Sequence, residues 1–147
     1  MAHVVTVNLR QEKDFRFAID FAGGIPVLYG DETAPLGGGT GPNPAQLLAA
    51  AVGNCMSDSL LFAIRKFKQQ PEPIQTTVTA TIDRNPENRL RVLDIHVKLT
   101  LGVAATSLAH LDRALEQFEE FCTVGQSVRQ GIPVTLEVYD SAGLRLK

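Results

Sequence analysis

Two thiols are the strongest nucleophiles that this 147-residue sequence carries, Cys55 and Cys122. Cysteine reacts as its thiolate, in oxidation, disulfide exchange or metal binding. Cys55 is surrounded in sequence by Asn54, Ser57, Asp58 and Ser59, a set too polar for the middle of a purely structural helix. Buried polar groups need partners, and a cluster of them beside a thiol marks a candidate site. Cys122 falls where one helix is expected to end and another to begin, so helix N-terminal amides there would favour its thiolate. Asp58 works against a thiolate at Cys55, because a neighbouring like charge raises a pKa. Inert core filling stands beside the reactive reading for both, since free cysteine is among the most buried residue types.

Other chemistry is sparse. His3, His96 and His110 have no metal-ligand spacing among themselves or with the cysteines, so no metal is expected. His96 reads as a polar-face strand residue and His110 as a helix surface residue. The run Gly37-Gly38-Gly39 precedes a helix but lacks the lysine and hydroxyl of a phosphate-binding loop, and no cofactor is expected. Ser57 and Ser59 have no base next to them in sequence.

The element that must position Cys55 is a long helix. Residues 37–43 form a glycine-rich loop ending in Asn43, a good N-cap; Pro44 suits the first helical position and Gln46 the reciprocal place of a capping box. From Leu47 the chain is small and apolar on nearly every side, which predicts a helix buried all round, with Cys55 about three turns inside it. Arg65, Lys66 and Lys68 bring it to the surface. The helix that delivers Cys122 is expected to start at Thr106 or Ser107, with a seam of Leu108, Leu111, Leu115, Phe118 and Cys122. Glu116, Glu119 and Glu120 lie off that seam and read as a solvated face. A short helix over 123–129 follows.

Strands fill the rest. Residues 4–10 alternate, 11–14 turn, and Phe15, Phe17, Ile19 and Phe21 share one face of a second strand. A third, over 25–29, is short or at an edge because Pro26 cannot donate to a ladder. A hairpin spans 74–101 around the turn cluster 84–88, and 134–138 makes the last strand. Three strands, helix, two strands, helix, strand is an α+β order, with helices segregated against antiparallel sheet. One domain over 1–147 is expected, with no linker or repeat.

Composition bounds the partners. The formal net charge of −2 gives no reason to expect nucleic acid or an anionic membrane surface. No apolar run is expected to approach the roughly eighteen residues that span a bilayer, and no signal peptide is expected before the first strand. Two cysteines without a disulfide framework point to a cytoplasmic address.

The sequence resembles the osmotically inducible protein C and organic hydroperoxide resistance proteins. The resemblance is carried by Asp31-Glu32, by the glycine loop, Asn-Pro, alanine-rich helix and cysteine over 37–55, by Cys122 closing the second helix, and by the strand over 132–139. It implies antiparallel sheets packed around a long central helix in an intertwined homodimer, with two sites built from both subunits. It implies that Cys55 attacks a small organic peroxide, that Cys122 resolves the sulfenic acid as a disulfide, and that an external dithiol reduces it. In that family a glutamate ten residues before the first cysteine orients an arginine over the thiolate; here that position is Ala45. Arg16 is the candidate arginine, with Arg10 second, and Glu32 the candidate replacement carboxylate. Thr123 stands where the family usually has proline. Leu48, Val52 and Phe62, apolar and near Cys55 in sequence, would favour an alkyl-bearing substrate. Two other readings remain open: a non-catalytic dimer that binds a small hydrophobic molecule, and a thiol redox sensor whose output is the disulfide.

Overall fold

Asn43 and Gln46 close the expected capping box. The Gln46 amide N–H donates to Asn43 Oδ1 and the Asn43 amide N–H donates to Gln46 Oε1, both at 2.9 Å. The helix they start, α1, runs Pro44–Arg65. The computed structural model describes residues 1–147. The chain forms two compact units that meet within this helix, Met1–Leu47 and Leu48–Lys147.

In the first unit β1 (Asn8–Lys13), β2 (Arg16–Asp20) and β3 (Leu28–Gly30) form an antiparallel sheet in that order. Pro26 holds the third strand to three edge residues, as expected. The first strand starts at Asn8 rather than residue 4, and runs through Gln11 to Lys13 across a bulge. The turn therefore shrinks to Asp14 and Phe15, with Asp14 at φ 50°, a conformation that aspartate tolerates. The loop after β3 is organised by one carboxylate. Asp31, 4% exposed, accepts the amides of Glu32, Gly38 and Thr40 and the hydroxyl of Thr40, at 2.8 to 3.2 Å.

In the second unit β4 (Gln75–Arg84) and β5 (Leu90–Thr100) form the expected antiparallel hairpin. The last strand, β6 (Val134–Tyr139), pairs with β5 in parallel, which corrects the all-antiparallel expectation. The long helical connection between them is the crossover that a parallel pair requires. Val52, Met56, Leu60 and Ile64 of α1 join Ile95, Val97 and Leu99 of β5 in one core. Gly53 lets helix and sheet approach, since any Cβ there would collide with Val78 Cγ2.

Only one face of α1 is buried within this unit; Ala50, Ala51, Asn54 and Asp58 are exposed. Within one chain, a single sheet covers only one side of this cylinder. By length and composition its 22 residues suffice to cross a membrane, which corrects the expectation that no run approaches that limit. Here the buried face packs in a protein core, and Asn54 Nδ2 donates to Asp58 Oδ2 at 2.7 Å on the exposed one.

The second helix is broken into three: a 3-10 turn Ala105–Ser107, α2 (Leu111–Gln117) and a 3-10 turn Phe118–Phe121. His110, left-handed at φ 58°, separates the first two, and its ring lies 5.0 Å from that of Phe67. The seam still reads correctly: Leu111, Leu115, Phe118 and Cys122 are buried. The third helix, α3, spans Thr123–Arg129.

Asp140 repeats in this unit the device of Asp31, accepting the amides of Ala105, Ala142 and Leu144 at 2.8 to 2.9 Å. The Thr40 amide and hydroxyl hold the Asp31 carboxyl below its ordinary 3.8, and the Ala105 and Leu144 amides do the same for Asp140. A carboxyl whose folded pKa is depressed adds stability above its unfolded pKa, and that stability is lost as pH falls through the folded value. The melting temperature is therefore expected to drop as pH goes below 3.8, and Asp31→Asn to flatten that drop while lowering Tm at neutral pH. Thermal scans between pH 2 and pH 7, roughly the range over which carboxylates titrate, check it; an unchanged acid limb refutes it.

Candidate active site

The break at Phe118–Phe121 decides where the second thiol goes. Cys122 leaves that turn at φ −78° and ψ 92° and becomes the N-cap of α3, its Sγ accepting the Gly125 N–H at 3.3 Å. One residue earlier in the same turn of α3, the Val124 N–H donates to Cys55 Sγ at 3.4 Å. Consecutive amides of one short helix thus hold the two sulfurs. They lie sixty-seven positions apart in sequence; the fold makes them neighbours.

The two thiols are unequal. Cys55 is half-buried, Cys122 fully buried. Burial first, and then the contact with Cys55, push the Cys122 thiol up to about 11, against the pull of the Gly125 amide and the Ser59 hydroxyl. This corrects the expectation that a helix N-terminus would favour a thiolate at Cys122: loss of water outweighs one amide dipole.

Of the polar residues around Cys55 in sequence, one serves the thiols. Ser59, buried one turn past Cys55, lowers the Cys122 pKa slightly. Ser57 instead bonds the Gly53 carbonyl at 2.7 Å and Thr76 Oγ1 at 2.6 Å, and Asp58 is taken by Asn54. Sequence reading missed Gly125. A Cβ there would stand 2.7 Å from Cys122 Sγ and 3.2 Å from Met56 Cε. No motif marks it, because the need for glycine comes from a neighbour that only the fold brings close.

The remaining candidates are dispersed. In the first unit Arg16 is held on three sides: Nε pairs with Glu12 Oε1 at 3.2 Å, Nη1 donates to Thr40 Oγ1 at 2.7 Å, and the head group lies 4.2 Å from the centre of the Tyr29 ring. Its carboxylate is therefore Glu12, not Glu32. Alternation across the bulged hairpin puts Glu12 beside it, a relation the loop position of Glu32 does not offer. Glu32 lines an apolar cavity of about 170 Å³, with Leu9, Phe15, Phe17, Ile19 and Leu47 among its walls. In the second unit Leu48 packs against the core, Val52 is wholly enclosed and Phe62 is 63% exposed. Val52 therefore has no surface in this chain to offer a ligand.

The sequence profile described as OsmC-like protein matches residues 37–137. The chain belongs to the OsmC-like family. Solved structures share this fold at low identity. An OsmC-like protein of unknown function from Vibrio cholerae superimposes with a TM-score of 0.80 at 14% identity, over 93% of this chain and 99% of that one. A putative osmotic stress induced and detoxification response protein from Psychrobacter arcticus gives 0.76 at 18%, over 94% and 98%. The organic hydroperoxide resistance protein OhrB of Bacillus subtilis gives 0.68 at 16%, over 92% and 98%. No curated protein is a significant match in sequence. Within the OsmC-like span lie both thiols, Ser59 and Gly125; Arg16 and Glu32 precede it.

Proposed function

We propose that this protein reduces organic hydroperoxides, with Cys55 as the attacking thiolate and Cys122 as the resolving thiol. The inequality of two neighbouring sulfurs carries the reading. Cys55 is reachable and receives an amide N–H, whereas Cys122 is enclosed and keeps its proton at neutral pH. The Cys55 thiolate attacks the peroxide oxygen distal to the alkyl group. The O–O bond breaks, the alkoxide takes a proton and leaves as alcohol, and sulfur becomes a sulfenic acid. Cys122 then displaces hydroxide from that sulfur; the hydroxide takes the Cys122 proton and departs as water, leaving a disulfide. An external dithiol returns both thiols by exchange.

A thiolate needs a cation. Arg16, its head group already fixed by Glu12, Thr40 and Tyr29, is proposed for that role. Leu48 and Phe62 are proposed to meet the alkyl part of the substrate, with Val52 backing them from the core. We propose a homodimer acting in the cytoplasm, where free thiols stay reduced. Phe62 and Phe121, each 63% exposed, and the uncovered side of α1 support a second copy, since large apolar surface is seldom left in water. Sedimentation is expected to give twice the chain mass of 15.9 kDa, and a single-chain mass at micromolar protein would refute it.

One observation favours a second reading. The apolar cavity of the first unit is a place for a small hydrophobic molecule in a dimer that does no chemistry. Titrating the reduced protein with an alkyl hydroperoxide while counting thiols separates the two. The peroxidase loses both thiols for each peroxide consumed; thiols that survive excess peroxide leave the ligand-binding reading in its place.

A further inference from the structure

Glu119 was expected on a solvated face, and it is instead the most heavily tied side chain near the thiols. Its Oε1 accepts from Arg129 Nη2 at 3.0 Å and its Oε2 forms an ion pair with Lys147 Nζ at 2.7 Å. Burial opposes its charge, but the two cations prevail and keep the carboxyl below its usual range. Its backbone carbonyl meanwhile accepts the Cys122 N–H at 3.1 Å and Gln126 Nε2 at 2.9 Å.

Both cations are anchored on firm structure. Arg129 ends α3. Lys147 lies on a segment paired with β6: the Leu146 N–H donates to the Val138 carbonyl at 2.7 Å, and the Val138 N–H to the Lys147 carbonyl at 3.2 Å. Its ammonium also donates to the Leu115 carbonyl at 2.6 Å, near the end of α2, and lies 5.2 Å from the centre of the Phe118 ring. The 3-10 turn before Cys122 is thus fastened from two directions through one carboxylate.

We propose that Glu119 is the positioning residue of the Cys122 thiol, with Arg129 and Lys147 as its anchors. The proposal rests on reading Cys122 as the resolving cysteine. A 3-10 turn has poor hydrogen-bond geometry and needs outside support. A disulfide tolerates little drift, since Cα atoms more than about 7 Å apart cannot be bridged without moving backbone. Exposed ion pairs contribute little on their own, but this carboxylate side chain is 19% exposed and is shared by two cations, the arrangement in which a network outperforms isolated pairs.

The test reads the position of Cys122 without using peroxide. In Cys55→Ser protein, Cys122 is the only thiol, and an aromatic disulfide reagent labels it slowly because it is enclosed. Lys147→Met and Glu119→Gln are each expected to speed that labelling on the order of tenfold, as for a local opening about 1.4 kcal/mol easier. Lys147→Arg is expected to restore the slow rate. Leu136→Ala, a core change in β6, serves as a control, compared at the temperature where it equals Lys147→Met in lost stability. Unchanged labelling in Lys147→Met and Glu119→Gln overturns the proposal, and so does equally fast labelling in Leu136→Ala. Loss of peroxidase activity in wild type would sink the functional reading but leave this result standing.

Discussion

Cys55→Ser is expected to lose peroxide reduction by on the order of a thousandfold or more, because it removes the atom on which the peroxide oxygen is transferred. Cys122→Ser is expected to behave differently. With one equivalent it consumes one peroxide per chain and halts with a sulfenic acid on Cys55, which a 1,3-dione traps; a second equivalent carries it on to sulfinic acid. The asymmetry follows from the two environments. On the proposed reading, the sulfur with solvent access and the Val124 amide performs the first step, and the buried, protonated one acts only after the first has been oxidised. With a pKa of about 11, Cys122 holds only roughly one ten-thousandth of its population as thiolate at pH 7. Resolution should therefore quicken with rising pH. Stopped-flow kinetics with intact-mass analysis separates the two steps. A Cys55→Ser protein that still consumes peroxide at the wild-type rate sinks the assignment.

Gly125→Ala carries the second large effect. In an ordinary helix this change gains roughly 0.5–1 kcal/mol, since glycine loses more backbone entropy on folding. Here the new methyl would lie 2.7 Å from Cys122 Sγ and 3.2 Å from Met56 Cε, both enclosed. Overpacking of that kind costs typically about 1–3 kcal/mol, so a net loss of about 1–2 kcal/mol is expected, which is a few degrees in Tm. The functional loss should be larger. The sulfur must shift from its place against the Gly125 N–H, so disulfide closure is expected to slow roughly ten- to a hundredfold while Cys55 still oxidises, since misplacement by about 1 Å carries penalties of that order. Gly131→Ala is the control, because nothing lies within 4 Å of a Cβ there. If Gly125→Ala closes its disulfide at the wild-type rate, the contact does not govern the thiol.

Much of this could be read before any fold was known, because the signals were local. A capping pair at Asn43 and Gln46, a proline at the first helical position and an apolar run define α1 within a few residues of chain. Alternation locates β2, β4 and β6, and the three-four spacing of Leu111, Leu115, Phe118 and Cys122 locates a buried seam. Types and spacing also singled out the two cysteines and brought the OsmC-like resemblance with them.

What sequence reading misplaced depends on partners distant along the chain. The same seam cannot say that His110 breaks the helix or that the last turn tightens and makes Cys122 the cap of α3. Alternation in β6 is the same whether it pairs parallel or antiparallel; the crossover decides. Glu119 looks solvated on a helical wheel, and only Arg129 and Lys147, ten and twenty-eight positions away, make it a tie. Glycine at 125 is silent until Cys122 Sγ is seen beside it. Residue type and local period thus determined which elements form and which atoms are reactive. Desolvation and long-range contact, properties of the assembled chain alone, decided which thiol keeps its proton and which residues hold it in place.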